Sequence, residues 1–488
     1  MDATALLRSG ELEWQLLEDL SNESDGEDPE QKLSNHDLAT APLLTREAYL
    51  FTASTGRATQ YGVLGKALAI HSKSKSEVPN DQRLYLNTNA PFSALICGVQ
   101  GSGKSHTVST ILENMLISKF PAIGSLTKAL CGLVLHFGEG GSGSLPNETA
   151  WLSKSLSSHV AGAPVHVYVS RSSLQTMRAV YARLGENVVV EPLFLKNSEL
   201  DAAAILSMMA VESSESAPLY MQIILSILRE LGENFTYSDF MKQLEVSKQK
   251  FNPAQLTGLE QRLSLLNSFL EPPDHKKKPS TRSKRFSAGQ LTIVDLSDPF
   301  LNAASACGLF EIIVRLFVRA DVGTGKVLVV DEAHKYLCEK SSSGLTKALL
   351  SLIRQQRHLA MRVIISTQGK PFPTVVPPVL LDLCTVVILH RFSSPTWWQH
   401  VIQHVPTDFS HSDAFDKIVR LQTGQAIVLA PSGIGLFTVS EDGEEHQGQS
   451  SISQKTKILS HFGRRYIVMK TRQRVTADGG ASILVLDN

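Results

Sequence analysis

The chain has no cysteine pair at CxxC spacing, no long apolar run and no net charge. Its five cysteines, Cys97, Cys131, Cys307, Cys338 and Cys384, are scattered, which argues against a disulfide framework and against a zinc site. No segment reaches the roughly 18 consecutive apolar residues of a membrane-spanning helix. The N-terminus has no basic stretch followed by an apolar one. The expectation is a cytoplasmic or nuclear protein with no membrane partner. The 47 basic and 47 acidic side chains cancel, so global charge gives no reason to expect nucleic-acid binding. Any such role falls to local patches.

What is present is a chain of 488 residues, 42% of them hydrophobic, with room for roughly two to four domains and a large core. Its charge is segregated. Residues 1–31 carry ten Asp or Glu against Arg8, and 1–45 reads as an acidic, largely disordered tail. Leu12, Trp14, Leu16, Leu17 and Leu20 belong either to a solvated tail or to a short amphipathic docking peptide that folds on a protein partner. Residues 274–285 hold six Lys or Arg against Asp274. This stretch is either a solvated loop or a nuclear-localisation or nucleic-acid contact. Residues 451–488 hold seven Lys or Arg against two Asp, with Lys470, Arg472 and Arg474 at period two on one strand face. Three readings stand for that face: a charge-guarded edge, a nucleic-acid track, or a latch onto an adjacent subunit.

Apolar strand patterns recur along the chain: YGVLGKALAI, QRLYLNT, SALIC, GLVLHF, VHVYVS, VVVEPLFL, LTIVDLS, KVLVVD, MRVIISTQ, TVVILHRF and QAIVLAP. Helical patterns between several of them, such as TVSTILENMLIS and GLTKALLSLIRQQRHL, predict an α/β fold with a mostly parallel sheet covered on both faces. Residues 200–270 interrupt this rhythm with four helical segments and no strand. The expected organisation is a tail (1–45), a small N-terminal β segment (46–92), a RecA-like core in two parts (93–199 and 288–440), a helical insertion with the basic loop (200–287), and a linker with a basic C-terminal hairpin around Asp478-Gly479-Gly480 (441–488). Met208, Met209, Met221 and Met241 fall at helical spacing and read as core filler. Trp397 and Trp398 read as packing.

The strand SALIC runs into Gly98-Val99-Gln100-Gly101-Ser102-Gly103-Lys104-Ser105-His106, which has the G-x-x-x-x-G-K-S spacing of a phosphate-binding loop. Gly98, Gly101 and Gly103 let successive N–H groups turn toward one point, and the following helix adds its positive dipole end. Lys104 is expected at the β- and γ-phosphates of ATP and Ser105 at Mg²⁺. Cys97, just before the loop, reads as a packed strand end. KVLVVD then delivers Asp331 and Glu332 to a strand terminus: Asp331 for Mg²⁺ and Glu332 as the base that activates water. A third strand ends in Ser366-Thr367-Gln368, where Gln368 is expected beside the γ-phosphate, donating to phosphate and accepting from water. Arg357 and Arg391 are candidates for an arginine finger acting on a neighbouring subunit's nucleotide, ahead of Arg354 and Arg362.

Together these motifs resemble the HerA–FtsK superfamily of P-loop ATPases, its HerA-like branch in particular. The resemblance covers roughly residues 60–435. It rests on GVQGSGKS, LTIVDLS, VVDEAH, IISTQ, the strand ending in Arg391, LQTGQAIVLAP and the helical insertion. It implies ATP hydrolysis with Mg²⁺ by a hexameric ring of identical subunits that passes DNA, or sometimes a protein, through a central pore. A reduced N-terminal β segment stands where the branch carries a full β-barrel. The letters DEAH also occur in DEAH-box helicases, but those follow the acidic strand with Ser-Ala-Thr and carry two cores; here Ser366-Thr367-Gln368 follows and one core is present. The alternative to a DNA motor is a nucleotide-dependent assembly switch or a protein-translocating ATPase.

Overall fold

The structure is a computed structural model that describes residues 33–54, 60–73, 75–209, 219–272, 284–337, 343–368, 377–408, 411–439 and 456–480. The acidic tail before residue 32 with its docking-peptide reading, most of the basic loop (273–283), the linker 441–450 and the last strand expected at 481–488 lie outside the described residues.

The strands in chain order are β1 Leu43–Thr45, β2 Tyr61–His71, β3 Ser76–Glu77, β4 Arg83–Asn87, β5 Ser93–Cys97, β6 Gly124–Ser125, β7 Cys131–His136, β8 Val165–Val169 and β9 Val188–Pro192. They continue with β10 Leu291–Asp295, β11 Lys326–Val330, β12 Met361–Thr367, β13 Val386–His390, β14 Gln425–Leu429, β15 Ile434–Val439, β16 Thr456–His461 and β17 Tyr466–Thr471. Eight of them run parallel in the order β9-β8-β10-β7-β11-β12-β5-β13. β5, β10, β11, β12 and β13 are buried at every residue. This is why they read as apolar runs rather than as alternating patterns. The fold is the expected mixed α/β class with a mostly parallel core sheet.

Alternate side chains feed two cores. Leu133, Leu135, Leu328 and Val330 face the helices Ala303–Arg319 and Gly344–Gln355 and the helical insertion. Val134, Val327 and Val329 face the helices Lys104–Leu116 and Leu174–Tyr181. The insertion contains the four expected helices, Ala202–Met209, Leu219–Leu231, Tyr237–Ser247 and Pro253–Ser268. Met208 and Met209 are buried in its core, and Met221 and Met241 pack against it. Trp397 and Trp398 are buried in the same core.

Order begins before the expected boundary at residue 46. Ser34 caps the helix Asn35–Thr40 through a reciprocal bond with Asp37, and β1 is wholly buried against β4. Three apolar or β-branched residues were too short a run to announce a strand. The C-terminal reading also changes. β17 inserts between β14 and β2, antiparallel to both, and β15 pairs β1 and β16. The small β unit is therefore built from both ends of the chain and is continuous with the core sheet.

The basic face expected along 470–474 turns out to be internal. Lys470 is exposed, but Arg472 and Arg474 are drawn to Glu113, which is fully buried in the helix Lys104–Leu116. Arg472 Nη1 donates to Glu113 Oε2 at 2.7 Å and Nη2 to Asn114 Oδ1 at 2.8 Å. Val475 N–H, Thr476 N–H and the Thr476 hydroxyl all donate to Glu113 Oε1. A buried carboxylate needs such partners, and the nearest supply was the chain's own C-terminal arm. Arg472 and Arg474 are neither edge guards nor a nucleic-acid track.

Candidate functional site

β5 ends at Cys97 and the chain turns through Gly98–Gly103 into the helix Lys104–Leu116. Gly101 and Gly103 have left-handed φ values of 73° and 110°. At Gly103 a side chain would also strike the Gly424 backbone 2.9 Å away, so only glycine fits. No side chain caps this helix; its first N–H groups stay open, and with the dipole they form an anion site. Neighbouring segments fix the loop. Val99 N–H donates to the Arg391 carbonyl at 2.9 Å, and Gly424 N–H to the Ser102 carbonyl at 3.1 Å. The Ser102 hydroxyl donates to the Val99 carbonyl at 2.6 Å.

Lys104 is buried, with Nζ 3.4 Å from the Val99 carbonyl. Burial lowers its affinity for a proton, while the charges of Glu332 and Asp331 oppose that shift. Gln100 and Gly101 are exposed at the mouth, and Ser105 is half-buried on the first helical turn. His106 departs from expectation: both ring nitrogens engage the C-terminal arm, Nδ1 with Asp478 at 3.0 Å and Nε2 with the Arg472 carbonyl at 2.8 Å.

β11 carries Asp331 and Glu332 past its last residue. Glu332 adopts a left-handed backbone, φ 49° and ψ 40°. This breaks the strand's alternation, so both acids act on the same lysine. Such a conformation in a residue other than glycine costs about 1–3 kcal/mol and persists where the surroundings impose it. Those surroundings are Gln368, whose Nε2 donates to Glu332 Oε2 at 2.9 Å, and His334, whose Nε2 lies 3.4 Å from the same oxygen. The Gln368 N–H points to His334 Nδ1 at 3.4 Å, which leaves the ring proton on Nε2, toward Glu332. Gln368 thus commits one of its two amide hydrogens to Glu332, and the second stays available as a donor. Burial, together with the charge of Asp331, pushes the Glu332 carboxyl up.

Burial also pushes Asp331 up, but hydrogen bonds from His136 and Asn147 outweigh it and hold Asp331 below the ordinary carboxylate range. His136 Nδ1 lies 3.1 Å from Asp331 Oδ2, and Asn147 Nδ2 donates to the same oxygen at 2.8 Å. Burial pushes the His136 imidazole down; Asp331 and Asp295 outweigh that and hold it above its usual value.

The two candidate arginines part company. Arg391 is exposed beside the loop, which its carbonyl anchors. Arg357 is exposed in the turn before β12, at the opposite end of a strand parallel to β5 and roughly 20 Å from the loop. Arg354 is also exposed, while Arg362 is buried with its guanidinium on the Thr88 and Asn89 carbonyls. Cys97 is fully buried and accepts a bond from Trp397 Nε1 at 3.4 Å; burial raises its thiol to about 12.

His136, Asn147, His334 and His390 were not among the expected site residues. His136 had a signal, since it closes an apolar strand pattern next to the acidic strand. His390 had the same kind of signal, closing the apolar pattern TVVILHRF; Asn147 had none. His390 supports the loop from below: its Nδ1 bonds the Gln425 carbonyl and its Nε2 the Thr107 hydroxyl, each at 3.0 Å.

No family model and no curated protein matches the chain. Among solved structures it is similar to VirB4 of Thermoanaerobacter pseudethanolicus, with TM-score 0.43 and 12% identity over 84% of this chain and 96% of that one. It is similar to the bacterial conjugative coupling protein TrwBdeltaN70, with TM-score 0.43 and 12% identity over 85% and 92%. A weaker likeness, TM-score 0.28 and 12% identity over 69% and 91%, links it to the genome packaging NTPase B204 of Sulfolobus turreted icosahedral virus 2 in complex with AMP. Likeness at this level assigns no chemistry, and the functional reading rests on the site itself. Among the described residues no helix is long and apolar enough to cross a membrane.

Proposed function

We propose that this protein binds ATP in the loop Gly98–Ser105 and hydrolyses it, as one subunit of a HerA–FtsK-type ring motor that translocates DNA. The observation that carries the reading is the position of Glu332, held by Gln368 and His334 and coupled electrostatically to the loop lysine. The open N–H groups of the loop and helix would receive the β- and γ-phosphates, with Lys104 adding its charge. Water attacks the γ-phosphorus in line, forming one P–O bond as the bond to the bridging oxygen breaks. Glu332 takes the proton of the attacking water, and its raised proton affinity favours that role. Gln368 and His334 hold its carboxylate in place, which lowers the reorientation needed at the moment of reaction.

The donor set fits Mg²⁺. Ser105 and Asp331 offer oxygen atoms, the chemistry this hard cation prefers. When bound, the ion would offset the charge of the phosphate oxygens. Arg391, beside its own loop, and Arg357, at the far end of the sheet, present different surfaces to a neighbouring copy. Substitution of each separately would show which one serves as the finger.

A second reading is favoured by one observation. Arg472 and Arg474 are spent inside the fold, so Lys470 is what remains exposed of that basic face. A protein-translocating ATPase or a nucleotide-dependent assembly switch needs no DNA track. ATPase rate and particle mass, measured with and without single- and double-stranded DNA at two salt concentrations, separate the two. Stimulation by DNA that weakens with salt supports the DNA motor. Absence of any DNA effect at low salt overturns it in favour of the second reading.

A further inference from the structure

The proposed chemistry makes no direct use of a buried polar ring behind Asp331. Three adjacent parallel strands end level with one another: β10 pairs Asp295 with His136 of β7, and β7 pairs Leu135 with Val330 of β11. Asp295, His136 and Asp331 therefore stand side by side at the end of the sheet that faces the loop. Asn147 closes the ring. Its Nδ2 donates to Asp331 Oδ2 at 2.8 Å, and its backbone N–H donates to the Tyr181 hydroxyl at 3.1 Å. That hydroxyl donates to Asp295 Oδ2 at 2.7 Å. Asn147, Tyr181 and Asp295 are buried, at 3%, 1% and 1% exposed, while the His136 and Asp331 side chains keep 17% and 12% of their surface open.

An apolar strand terminus would not need this arrangement. Buried polar groups are costly unless every member is satisfied, and a satisfied ring fixes one geometry. Both side-chain donors to Asp331 converge on Oδ2, one from the neighbouring strand and one from the segment that follows it. The carboxylate cannot swing without breaking both bonds.

We infer that His136 and Asn147 are positioning residues that lock the Asp331 carboxylate in the orientation required to engage the divalent cation of a bound nucleotide. Tyr181 and Asp295 act one step further out: the Tyr181 hydroxyl, held by Asp295, accepts the Asn147 N–H, and Asp295 stands beside His136 on the adjacent strand. The inference rests on the reading of Gly98–Ser105 and Asp331 as a magnesium–nucleotide site. Partners that orient a metal's ligands typically change metal affinity by about 10–100-fold when removed.

The test uses the full chain and a fluorescent ATP analogue. Nucleotide affinity is measured in EDTA and across a Mg²⁺ titration, for the wild type, His136→Ala and His136→Asn. Asparagine places an N–H donor close to where Nδ1 stands, so it is the conservative variant. In His136→Ala the Mg²⁺ concentration that gives half the metal-dependent gain in affinity rises about tenfold or more. Affinity in EDTA stays within about twofold of wild type, and His136→Asn recovers most of the metal response. A merely structural role would lower affinity with and without metal alike. That outcome, or an unchanged Mg²⁺ midpoint in His136→Ala, overturns the inference. If His136→Ala does not fold, an Asn variant with wild-type EDTA affinity and no metal response overturns it as well. A wild type that binds no nucleotide under either condition removes the site reading itself, a result distinct from failure of the positioning role.

Discussion

The side-chain amide of Gln368 donates to the carboxylate of Glu332, Nε2 to Oε2 at 2.9 Å, and joins the ends of two adjacent strands. β12, which carries Gln368, lies between the loop strand β5 and the acidic strand β11. The base is thus held by the one strand that touches both halves of the site. Loss of this bond leaves Glu332 in a strained backbone with His334 alone to orient it. Gln368→Ala is expected to lower kcat for ATP by about 10²-fold, with nucleotide affinity little changed. Steady-state kinetics with a separate binding measurement checks this; an equal loss in affinity would place Gln368 on the phosphate instead.

Stability should fall with acid in a way traceable to His390. Burial pushes its imidazole down to about 4. It is fully buried, with Nδ1–H on the Gln425 carbonyl and Nε2 accepting from Thr107. The unfolded chain binds a proton near the usual histidine value and the folded chain does not, so stability rises with pH across that window. It is fully present above about 6.5 and is lost as pH falls toward 4, by about 3 kcal/mol from this group alone. Denaturant unfolding at pH 7, 5.5 and 4.5 checks the slope. His390→Asn, which cannot titrate, should show a shallower one.

The C-terminal arm should be essential to the loop helix. Arg472→Met leaves Glu113 buried with one ionic partner fewer and is expected to cost about 3–5 kcal/mol. Adding Glu113→Gln to that variant should recover part of the loss, because the uncompensated charge disappears. A double-mutant cycle on thermal or denaturant unfolding reads the coupling. Strict additivity would count against the arm as a clamp.

Cys97 adjoins the loop but should be inert. With its thiol pushed up to about 12 and no exposed surface, the thiolate needed for alkylation is absent at neutral pH. Native protein treated with iodoacetamide at pH 8 should remain unmodified at Cys97 by mass spectrometry, and react after unfolding.

Much of the parallel sheet could be read from the sequence because strands buried on both faces announce themselves as apolar runs between glycine-rich turns. The loop glycines, Lys104, Asp331, Glu332 and Gln368 were legible for a related reason: their spacing is tied to strand ends. What escaped depended on partners remote in the chain. The destination of Arg472 and Arg474 was invisible because Glu113, more than three hundred residues earlier, looks like an ordinary helix-surface acid. The side-chain partners of His106, Asp478 and the Arg472 carbonyl, were equally remote, more than three hundred residues away. Arg357 and Arg391 carried equal weight as sequence; parallel strand direction separates them, one beside the loop and one at the far end.

The assignment of Lys104 to nucleotide binding and of Glu332 to water activation is read by ATP affinity and single-turnover hydrolysis on the wild type, Lys104→Ala and Glu332→Gln in parallel. Lys104→Ala is expected to weaken binding by about tenfold or more. Glu332→Gln is expected to bind ATP as the wild type does but to hydrolyse it about 10²–10⁴-fold more slowly. Unaltered turnover in Glu332→Gln, or wild-type affinity in Lys104→Ala, would contradict that assignment.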